Sequence, residues 1–500
     1  MVPVGKLMMD GAFYVRRVLH PKKYVSLRVL CDYVGLGTES FSDSVKAVLD
    51  KTVWQMCVEG LPSPHNGVWY VWTQRGADFA MSKKPLVLIS QKQYADYPCI
   101  VVDNPLEIYT RMCHFYRRMN KRVVATVVTG SIGKTTTSEM LASVYLKYTK
   151  TYFSWDNDND FQDISYKVQH IPTHWKRMVQ EVGEDTPNVT QWNSLMVYPS
   201  AAVITKIDNS HFEAFGSFDN IVTETCEVVK GLQPNAPVFV TKGEFQWYDR
   251  LEGHPVITVS DSDSTADYYA KDIKVTQSGL SFVAVDNVKH TEHSVKLTNI
   301  YARHNALAAL RAFAVGCHEG IPYNKIVAGL ESYRTRNIRQ NVVWTNDGVC
   351  LYVDCYNAIA SSVKSSVEAA EQIPIAGRRI AVLGDIEECG EMADAQHTEC
   401  VEIINQSTFD ALIAVGEKMS AAMERYPNRD NLTIFACKDR HEATRCLKNY
   451  VKSGDQVLFK SSHSGHLSDI AKSIWPETSD ILMNDAGRRL RWQKYISAIS

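Results

Sequence analysis

The clearest feature of the chain is an alternation of short apolar runs with longer stretches whose apolar residues recur at helical spacing. Beyond about residue 336 the apolar runs read CLYVDCY, RRIAVLGDI, ALIAVG, LTIFAC and DQVLFKSS. Two more runs, AAVITKID and APVFVT, precede a helical stretch that includes NALAALRAFAVGCHEG. Strands and helices that alternate in this way indicate βαβ units and a mostly parallel sheet. We therefore predict an α/β fold.

The same rhythm divides the chain into three predicted domains. Residues 1–122 mix short apolar runs, among them GVWYVWT and PLVLIS, with the helix-like stretch PLEIYTRMCHFYRRMNKR. Residues 123–335 form a second block, and residues 336–500 contain the regular alternation described above. A chain of 500 residues with 45% hydrophobic content is long enough to bury several cores.

Composition excludes several classes of protein. The chain has 54 basic and 56 acidic residues, and this balance gives no electrostatic footprint for nucleic acid. We interpret the basic residues between Arg117 and Arg122 as a solvated helix end. No apolar run is long enough to span a bilayer, and the first twenty residues lack the hydrophobic centre of a secretion signal. We expect a cytoplasmic enzyme that acts on small molecules.

Cysteine usage agrees with a reducing compartment. The 12 cysteines are scattered and never form a CxxC pair. Several of them, including Cys226, Cys317 and Cys437, lie in stretches that are typical of a core. We predict buried free thiols instead of a disulfide framework or a metal site.

The stretch VVATVVTGSIGKTTTSEML has the composition of a phosphate-binding loop between a strand and a helix. Val123 to Val128 are apolar and mostly β-branched, as in a strand buried on both faces. Glycines after such a strand let backbone N–H groups and a helix N-terminus converge on an anion. In this motif the lysine contacts phosphate and the next hydroxyl contacts Mg²⁺. The predicted ATP-binding residues of the turn are Gly130, Ser131, Gly133, Lys134, Thr135 and Thr136. A complete Walker A motif has glycine where this chain has Val128, so a glycine turn with a surface lysine is the alternative.

Polar residues follow other predicted strands of the same block. Asn157 and Asn159 lie in SWDNDNDFQDIS, which is either part of the site or an ordinary turn. Glu181 and His211 each lie at or beyond the end of an apolar run. A carboxylate and an imidazole at the carboxyl ends of neighbouring strands can hold a divalent cation beside the phosphates. The alternative for His211 is a hydrogen-bonded surface residue.

Seven stretches occur in an order that resembles the Mur ligases. They are VVTGSIGKTTTSEML, NDNDFQDIS, VITKIDNSHFEAFGSFDNI, NALAALRAF, VDCYNAIASS, AVLGDIEECGE with His397, and DQVLFKSSHSG. The resemblance covers about residues 95 to 475 and is strongest to the subtype that adds D-alanyl-D-alanine to a UDP-muramoyl-tripeptide. It implies a three-domain architecture: an N-terminal domain that binds a UDP-type substrate, a central P-loop domain with a mostly parallel sheet, and a Rossmann-like C-terminal α/β domain.

The resemblance also implies roles for individual residues. Lys134 and Thr135 would hold the β- and γ-phosphates and one Mg²⁺, and Glu181 and His211 would complete the metal sites; Lys134, Glu181 and His211 are thus the predicted catalytic residues. Asn305 matches an adenine contact, and Arg339 and Asp354 match residues that the C-terminal domain brings onto the nucleotide. The predicted substrate residues are Asn157, Asn159, Tyr356, Asn357, His397 and Lys460.

The function implied by this resemblance is ATP-dependent amide-bond formation with ATP and Mg²⁺. A carboxylate substrate, for example a UDP-linked peptide, would be activated as an acyl phosphate and captured by the amine of an amino acid or dipeptide. We expect a monomer. Three alternatives stay open: a Mur-type ligase that joins another acid and amine, a P-loop kinase or ATPase, and a nucleotide-binding homologue without catalysis.

One position departs from the family pattern in a way that affects the metal. Thr225 occupies the place where the family has a lysine that becomes carbamylated and helps to hold a second Mg²⁺. Threonine cannot carry a carbamate. Either chloride, water, Glu224 or Glu227 replaces the carbamate, or the second metal binds weakly.

Overall fold

The computed structural model describes residues 25–58, 66–120, 122–154, 159–171, 175–276, 278–335, 338–425, 430–479 and 481–482. Within these residues the strands form four sheets. Among the helices described, none combines the length and the apolar character that crossing a membrane requires.

The first part of the chain is organised around a small parallel sheet. Two short strands, β1 (Val25–Ser26) and β2 (Thr52–Val53), pair in antiparallel orientation. The parallel sheet follows, with its strands in chain order: β3 (Gln55–Cys57), β4 (Gly67–Tyr70), β5 (Val87–Ser90) and β6 (Cys99–Val101).

A nine-stranded sheet forms the centre of the molecule. Its strands are β7 (Val124–Thr129), β8 (Thr151–Phe153), β9 (Arg177–Glu181), β10 (Ala201–Ile204), β11 (Val238–Thr241), β12 (Val256–Ser260), β13 (Tyr268–Thr276), β14 (Gly279–Asp286) and β15 (Thr291–Thr298). Their order is β15-β14-β13-β12-β11-β10-β7-β9-β8, and the pairing is parallel except for β13–β14 and β14–β15. Because β7 lies between β9 and β10, the loops that follow these three strands meet at one edge.

The last part of the chain contains a six-stranded sheet. Its strands are β16 (Asn341–Trp344), β17 (Cys350–Asp354), β18 (Arg379–Gly384), β19 (Ala411–Val415), β20 (Thr433–Cys437) and β21 (Gln456–Lys460). The order is β16-β17-β21-β18-β19-β20, and only β16 pairs in antiparallel orientation. The register places Asp354 opposite Lys460 at the carboxyl ends of β17 and β21.

Helices cover these sheets. They are α1 (Leu27–Tyr33), α2 (Asp43–Lys46), α3 (Gln74–Ser82), α4 (Pro105–Arg118), α5 (Lys134–Tyr148), α6 (Phe161–His170), α7 (Thr190–Val197), α8 (Phe212–Phe215), α9 (Phe218–Cys226), α10 (Asn305–His318), α11 (Tyr323–Ser332), α12 (Ala360–Glu371), α13 (Ala393–Gln406), α14 (Glu417–Arg425), α15 (Arg440–Tyr450) and α16 (Ser468–Ile474). Each apolar run singled out in the sequence contains a strand, and the predicted α/β fold is confirmed.

All twelve cysteines are free and eleven are buried, with Cys446 half-buried, which confirms the expectation of buried thiols.

At the basic end of α4, Arg118 and Arg122 are exposed as interpreted, but Arg117 is not. Asn104 caps this helix by accepting a hydrogen bond from the Glu107 N–H, and Pro105 is its first residue. Arg117, near the other end, is only 2% exposed. Its guanidinium donates to the carbonyls of Val197, Asn120 and Val123 at 2.7, 3.0 and 2.8 Å. Arg117 therefore fastens α4 to the start of the central sheet, because these carbonyls satisfy its buried donors.

The phosphate-loop helix α5 packs directly against α10 and α11. At Gly329 in α11 the two backbones approach so closely that an added Cβ would lie 2.4 Å from Val144 Cα. A neighbouring backbone atom cannot move aside as a side chain can. Glycine at this position thus sets the distance between α11 and α5.

We expect Gly329→Ala to lower the free energy of unfolding by about 1–2 kcal/mol. Overpacking costs about 1–3 kcal/mol, while the higher helix propensity of alanine returns up to about 1 kcal/mol. Chemical denaturation monitored by circular dichroism measures the change, with the exposed Lys325→Ala in the same helix as control. Equal stability of Gly329→Ala and the parent would contradict this packing account.

Candidate active site

A cavity of about 530 Å³ lies where the carboxyl edge of the central sheet faces the carboxyl ends of β17 and β21. Residues 131–136 of the phosphate loop form one wall. The residues from other loops and elements that line it include Asn159, Glu181, Glu184, His211, His304, Asn305, Arg311, Arg339, Gln340, Asp354, Tyr356, Asn357, Glu388 and Lys460. The cavity therefore brings together most of the residues that were predicted from the sequence.

The phosphate loop has the backbone that an anion site requires. Gly130 has φ 116°, and a Cβ there would lie 2.4 Å from Thr205 Oγ1, so only glycine fits. Ser131 fixes the turn by donating its N–H to the Lys206 carbonyl and its hydroxyl to the Asp208 carbonyl, at 2.8 and 2.9 Å. Helix α5 begins after Gly133, and no side chain caps its N-terminus. The N–H groups of its first turn and the positive end of its dipole thus face the cavity, where Thr135 and Thr136 also lie.

Lys134 is held by its own loop and by an acidic residue that the sequence reasoning missed. Its Nζ donates to the Gly130 carbonyl at 2.6 Å and to Glu184 Oε1 at 2.9 Å. The Glu184 side chain has no exposed surface. Burial raises the pKa of the Glu184 carboxyl, and the Lys134 ammonium opposes that rise. The feature of the sequence that could have identified Glu184 is its position in MVQEVGE, where it is a second glutamate three residues after Glu181.

Glu181 and His211 lie in the same cavity but contact different partners. Asn159 Nδ2 donates to Glu181 Oε1 at 2.9 Å, and Glu181 is 2% exposed. His211 has φ 55° and lies just before α8, with Nδ1 2.8 Å from Glu388 Oε2. The predicted substrate residue Asn159 thus orients a predicted metal ligand, and Asn157 lies outside the described residues.

The oxygen donors of the site fit Mg²⁺ only if the ligand contributes oxygens as well. Thr135 offers a hydroxyl and Glu181 a carboxylate, which are hard donors of the kind Mg²⁺ prefers. Within the ranges that the structure describes, no three His, Cys, Asp or Glu side chains are grouped closely enough to hold a metal ion by themselves. Mg²⁺ is commonly bound by one or two carboxylates together with substrate phosphates, and this site has that composition.

The carboxylates suggested as replacements for the carbamylated lysine make contacts outside the cavity. Glu224 accepts hydrogen bonds from the N–H groups of Asn188 and Thr190 at 2.6 and 2.8 Å, which holds the start of α7. Glu227 pairs with Lys230. The Thr225 hydroxyl is buried and donates to the Ile221 carbonyl within its helix. Neither Glu224 nor Glu227 is among the residues that line the cavity, so the structure adds no support to the suggestion that one of them takes the place of the carbamate.

On the C-terminal side, Asp354 and Lys460 form a buried ion pair. Lys460 Nζ lies 2.8 Å from Asp354 Oδ2 and also donates to the Asn357 carbonyl at 2.7 Å. The Ser366 hydroxyl donates to the same carboxylate at 2.8 Å. Burial alone would raise the pKa of Asp354, but Lys460 and these hydrogen bonds outweigh it and hold the pKa below its usual range. Asp354 is therefore an anion that faces the cavity, and Lys460 serves to hold it.

A chain of amide groups connects the two sides of the cavity. Asn305, the first residue of α10, donates from Nδ2 to Gln340 Oε1 at 2.9 Å, and the Gln340 amide nitrogen lies 2.9 Å from His304 Nε2. Asn305 is 1% exposed, and its Oδ1 has no hydrogen-bond partner within the described structure. The guanidinium of Arg339 lies 3.5 Å from the centre of the Tyr356 ring. An unsatisfied buried acceptor in a cavity that an aromatic ring also lines suits a planar ligand with amino groups.

His397 does not reach the cavity. It is 1% exposed, its Nε2 accepts a hydrogen bond from the Ile386 N–H at 2.9 Å, and Nδ1 lies 2.6 Å from the Ala393 carbonyl. Both ring nitrogens are thus used inside the C-terminal fold. The prediction that His397 contacts substrate is therefore replaced by a role in holding the loop after β18, which carries Glu388.

Two family models match the chain, and together they cover more than half of it. One describes the Mur ligase middle domain and matches residues 128–316. The other describes the Mur ligase glutamate ligase domain and matches residues 338–463. The two matches contain the phosphate loop and the Asp354–Lys460 pair respectively.

Individual relatives agree with these matches. The UDP-N-acetylmuramoyl-tripeptide–D-alanyl-D-alanine ligase of Bacillus subtilis is 25% identical over 383 residues, which are 76% of this chain and 81% of that protein. The enzyme of the same name from Haemophilus influenzae is 26% identical over 79% of this chain and 87% of its own length.

Solved structures support the three-domain architecture. A crystal structure of MurF from Acinetobacter baumannii superposes with a TM-score of 0.75 at 19% identity, over 90% of this chain and 98% of that one. MurF from Thermotoga maritima in complex with ADP gives 0.72 at 19% identity, over 88% and 98%. The chain belongs to the Mur ligase family.

Proposed function

We propose that the chain is an ATP-dependent ligase that activates a carboxylate as an acyl phosphate and joins it to an amine, with release of ADP and phosphate. The observation that carries this proposal is the single cavity in which a phosphate loop with Lys134 faces the Asp354–Lys460 pair. A simple ATPase needs only the loop and a water molecule, and a kinase adds one acceptor substrate. A ligase needs both walls, because the nucleotide and two further substrates must meet.

The charges of the reactants explain why the reaction needs ATP and a positively charged site. A carboxylate acylates amines poorly because its leaving group would be an oxide, and transfer of the γ-phosphoryl group gives it a better one. Bringing a carboxylate to a triphosphate crowds several negative charges together. Lys134 and the N–H groups at the start of α5 would balance part of that charge. Mg²⁺, held by Thr135 and Glu181, would supply the remaining positive charge next to the phosphates.

Residues from both walls of the cavity support positioning of the nucleotide. We propose that Asn305 binds the adenine amino group through its unsatisfied Oδ1, while Arg339 and Asp354 contact the rest of the nucleotide. The two walls are joined across the cavity by a hydrogen bond from the Ser361 hydroxyl to Asp208 Oδ2, at 2.9 Å, and by the His211–Glu388 contact. Such contacts exclude water and orient the reacting groups.

The names of the relatives support a particular pair of substrates. We propose that the acid is a UDP-linked muramoyl-tripeptide and that the amine is D-alanyl-D-alanine, as the names of the Bacillus and Haemophilus enzymes state. In this assignment residues 1–122 bind the UDP-type substrate, residues 123–335 bind ATP, and residues 336–500 bind the amine, with Tyr356 and Asn357 beside it. We further propose a monomeric enzyme in the cytoplasm.

We expect phosphate release from ATP to require both an acid and an amine. The assay incubates the chain with ATP and Mg²⁺ together with UDP-muramoyl-tripeptide, free peptides or other acids, each with and without D-alanyl-D-alanine or single amino acids. Mass spectrometry should find a condensed product, one water lighter than its parts, and an equal amount of ADP. Turnover with water alone would indicate an ATPase, and a product from another acid and amine would reassign the substrates.

We expect Lys134→Ala to lower kcat at least about 100-fold, since removal of one preorganised donor costs about that much. The variant also leaves the fully buried Glu184 without its ammonium, so its stability has to be measured beside its activity. The double variant Lys134→Met, Glu184→Gln removes both charges and should melt near the parent temperature while staying inactive. Full activity in either variant would contradict the assignment of the loop.

A further inference from the structure

We infer that Glu184 is a ligand of the divalent cation that accompanies the nucleotide, and this inference rests on the proposed ATP-dependent function. Glu184 follows β9 at the same sheet edge as the phosphate loop and lines the cavity together with Thr135 and Glu181. Glu181 is assigned to the metal by the family resemblance, whereas nothing in that resemblance gives Glu184 a role.

Glu184 is paired with Lys134 in this structure. Its Oε1 accepts from Lys134 Nζ at 2.9 Å, and its Oε2 is 3.4 Å from the Thr129 hydroxyl. The side chain is completely buried, so Lys134 is the cation that balances this carboxylate. Removing one partner from a buried ion pair is strongly unfavourable, because it leaves a charge without compensation.

Nucleotide binding would disturb the Lys134–Glu184 pair. The same Lys134 is the residue that the phosphate loop presents to the β- and γ-phosphates. A single ammonium that turns towards a triphosphate no longer balances Glu184 fully. A cation that enters with the nucleotide can restore that balance, and a buried carboxylate oxygen is a suitable ligand for Mg²⁺. Exchange of Lys134 for the cation therefore couples cation binding to nucleotide binding.

The residues at and beside the family's carbamate position do not line the cavity, and each makes contacts in its own part of the fold. Glu224 holds backbone N–H groups of α7, Glu227 pairs with Lys230, and the Thr225 hydroxyl bonds within its own helix. Glu184 and its partner Lys134 do line the cavity, so this carboxylate can supply there the negative charge that Thr225 cannot.

The test measures cation binding directly instead of activity. Mn²⁺, which replaces Mg²⁺ and is visible by electron paramagnetic resonance, is titrated into the complex of the chain with ADP. We expect Glu184→Gln to weaken Mn²⁺ binding in the ADP complex at least about 10-fold. In EDTA the same variant should bind ADP as tightly as the parent or more tightly, because Lys134 is released from its carboxylate partner. Glu368→Gln, which makes the same change at an exposed position outside the cavity lining, should behave as the parent.

The possible outcomes distinguish a failure of the Glu184 assignment from a failure of the proposed ATP-dependent function. Mn²⁺ binding that is unchanged in Glu184→Gln, with ADP still bound, overturns the inference. An equal change in ADP affinity with and without cation also overturns it, since Glu184 would then act only by positioning Lys134. A parent chain that binds no ADP at all overturns the proposed function instead. If Glu184→Gln does not fold, Glu184→Asp retains the charge but shortens its reach, and it should still weaken Mn²⁺ binding.

Discussion

Charge balance at the turn between β7 and α5 is the constraint on which the rest of the site depends. The turn concentrates positive potential through its N–H groups, the α5 dipole and Lys134. Without an anionic ligand that potential is met by Glu184, a carboxylate with no access to solvent. Because a buried charge needs a partner in every state of the site, the lysine and the carboxylate constrain what can enter. A polyanion that arrives with its own cation satisfies both groups at once.

The fold supplies the geometry that this balance requires. Parallel strands place their carboxyl ends at one edge of a sheet. The loops after the neighbouring strands β7, β9 and β10 therefore converge there. Helix α10 packs against α5 with its buried face and presents Asn305 at its first turn. The six-stranded sheet uses its carboxyl edge in the same way. Its strands β17 and β21 are neighbours, and their last residues, Asp354 and Lys460, lie opposite each other. Two parallel sheets that face each other by their carboxyl edges thus produce one cavity with two chemically different walls.

The elements of this fold could be predicted from the sequence because strands covered on both faces read as continuous apolar runs. Motifs at strand ends were also informative: Lys134, Glu181 and Asp354 all line the cavity. The errors concern residues whose partners in the folded chain cannot be read from a motif. Arg117 reads as a surface charge, yet carbonyls up to 80 residues away satisfy it. His397 reads as a ligand, yet the backbone of its own domain uses both nitrogens. Glu184 was missed because its significance depends on a partner 50 residues earlier.

The most direct measurement is a crystal structure of the chain with Mg²⁺ and a non-hydrolysable ATP analogue. The account predicts the triphosphate at the N-terminus of α5, with Lys134 Nζ within hydrogen-bond distance of phosphate oxygens and no longer bonded to Glu184. A nucleotide bound away from residues 130–136 would contradict the account, as would an unchanged Lys134–Glu184 pair beside a bound triphosphate.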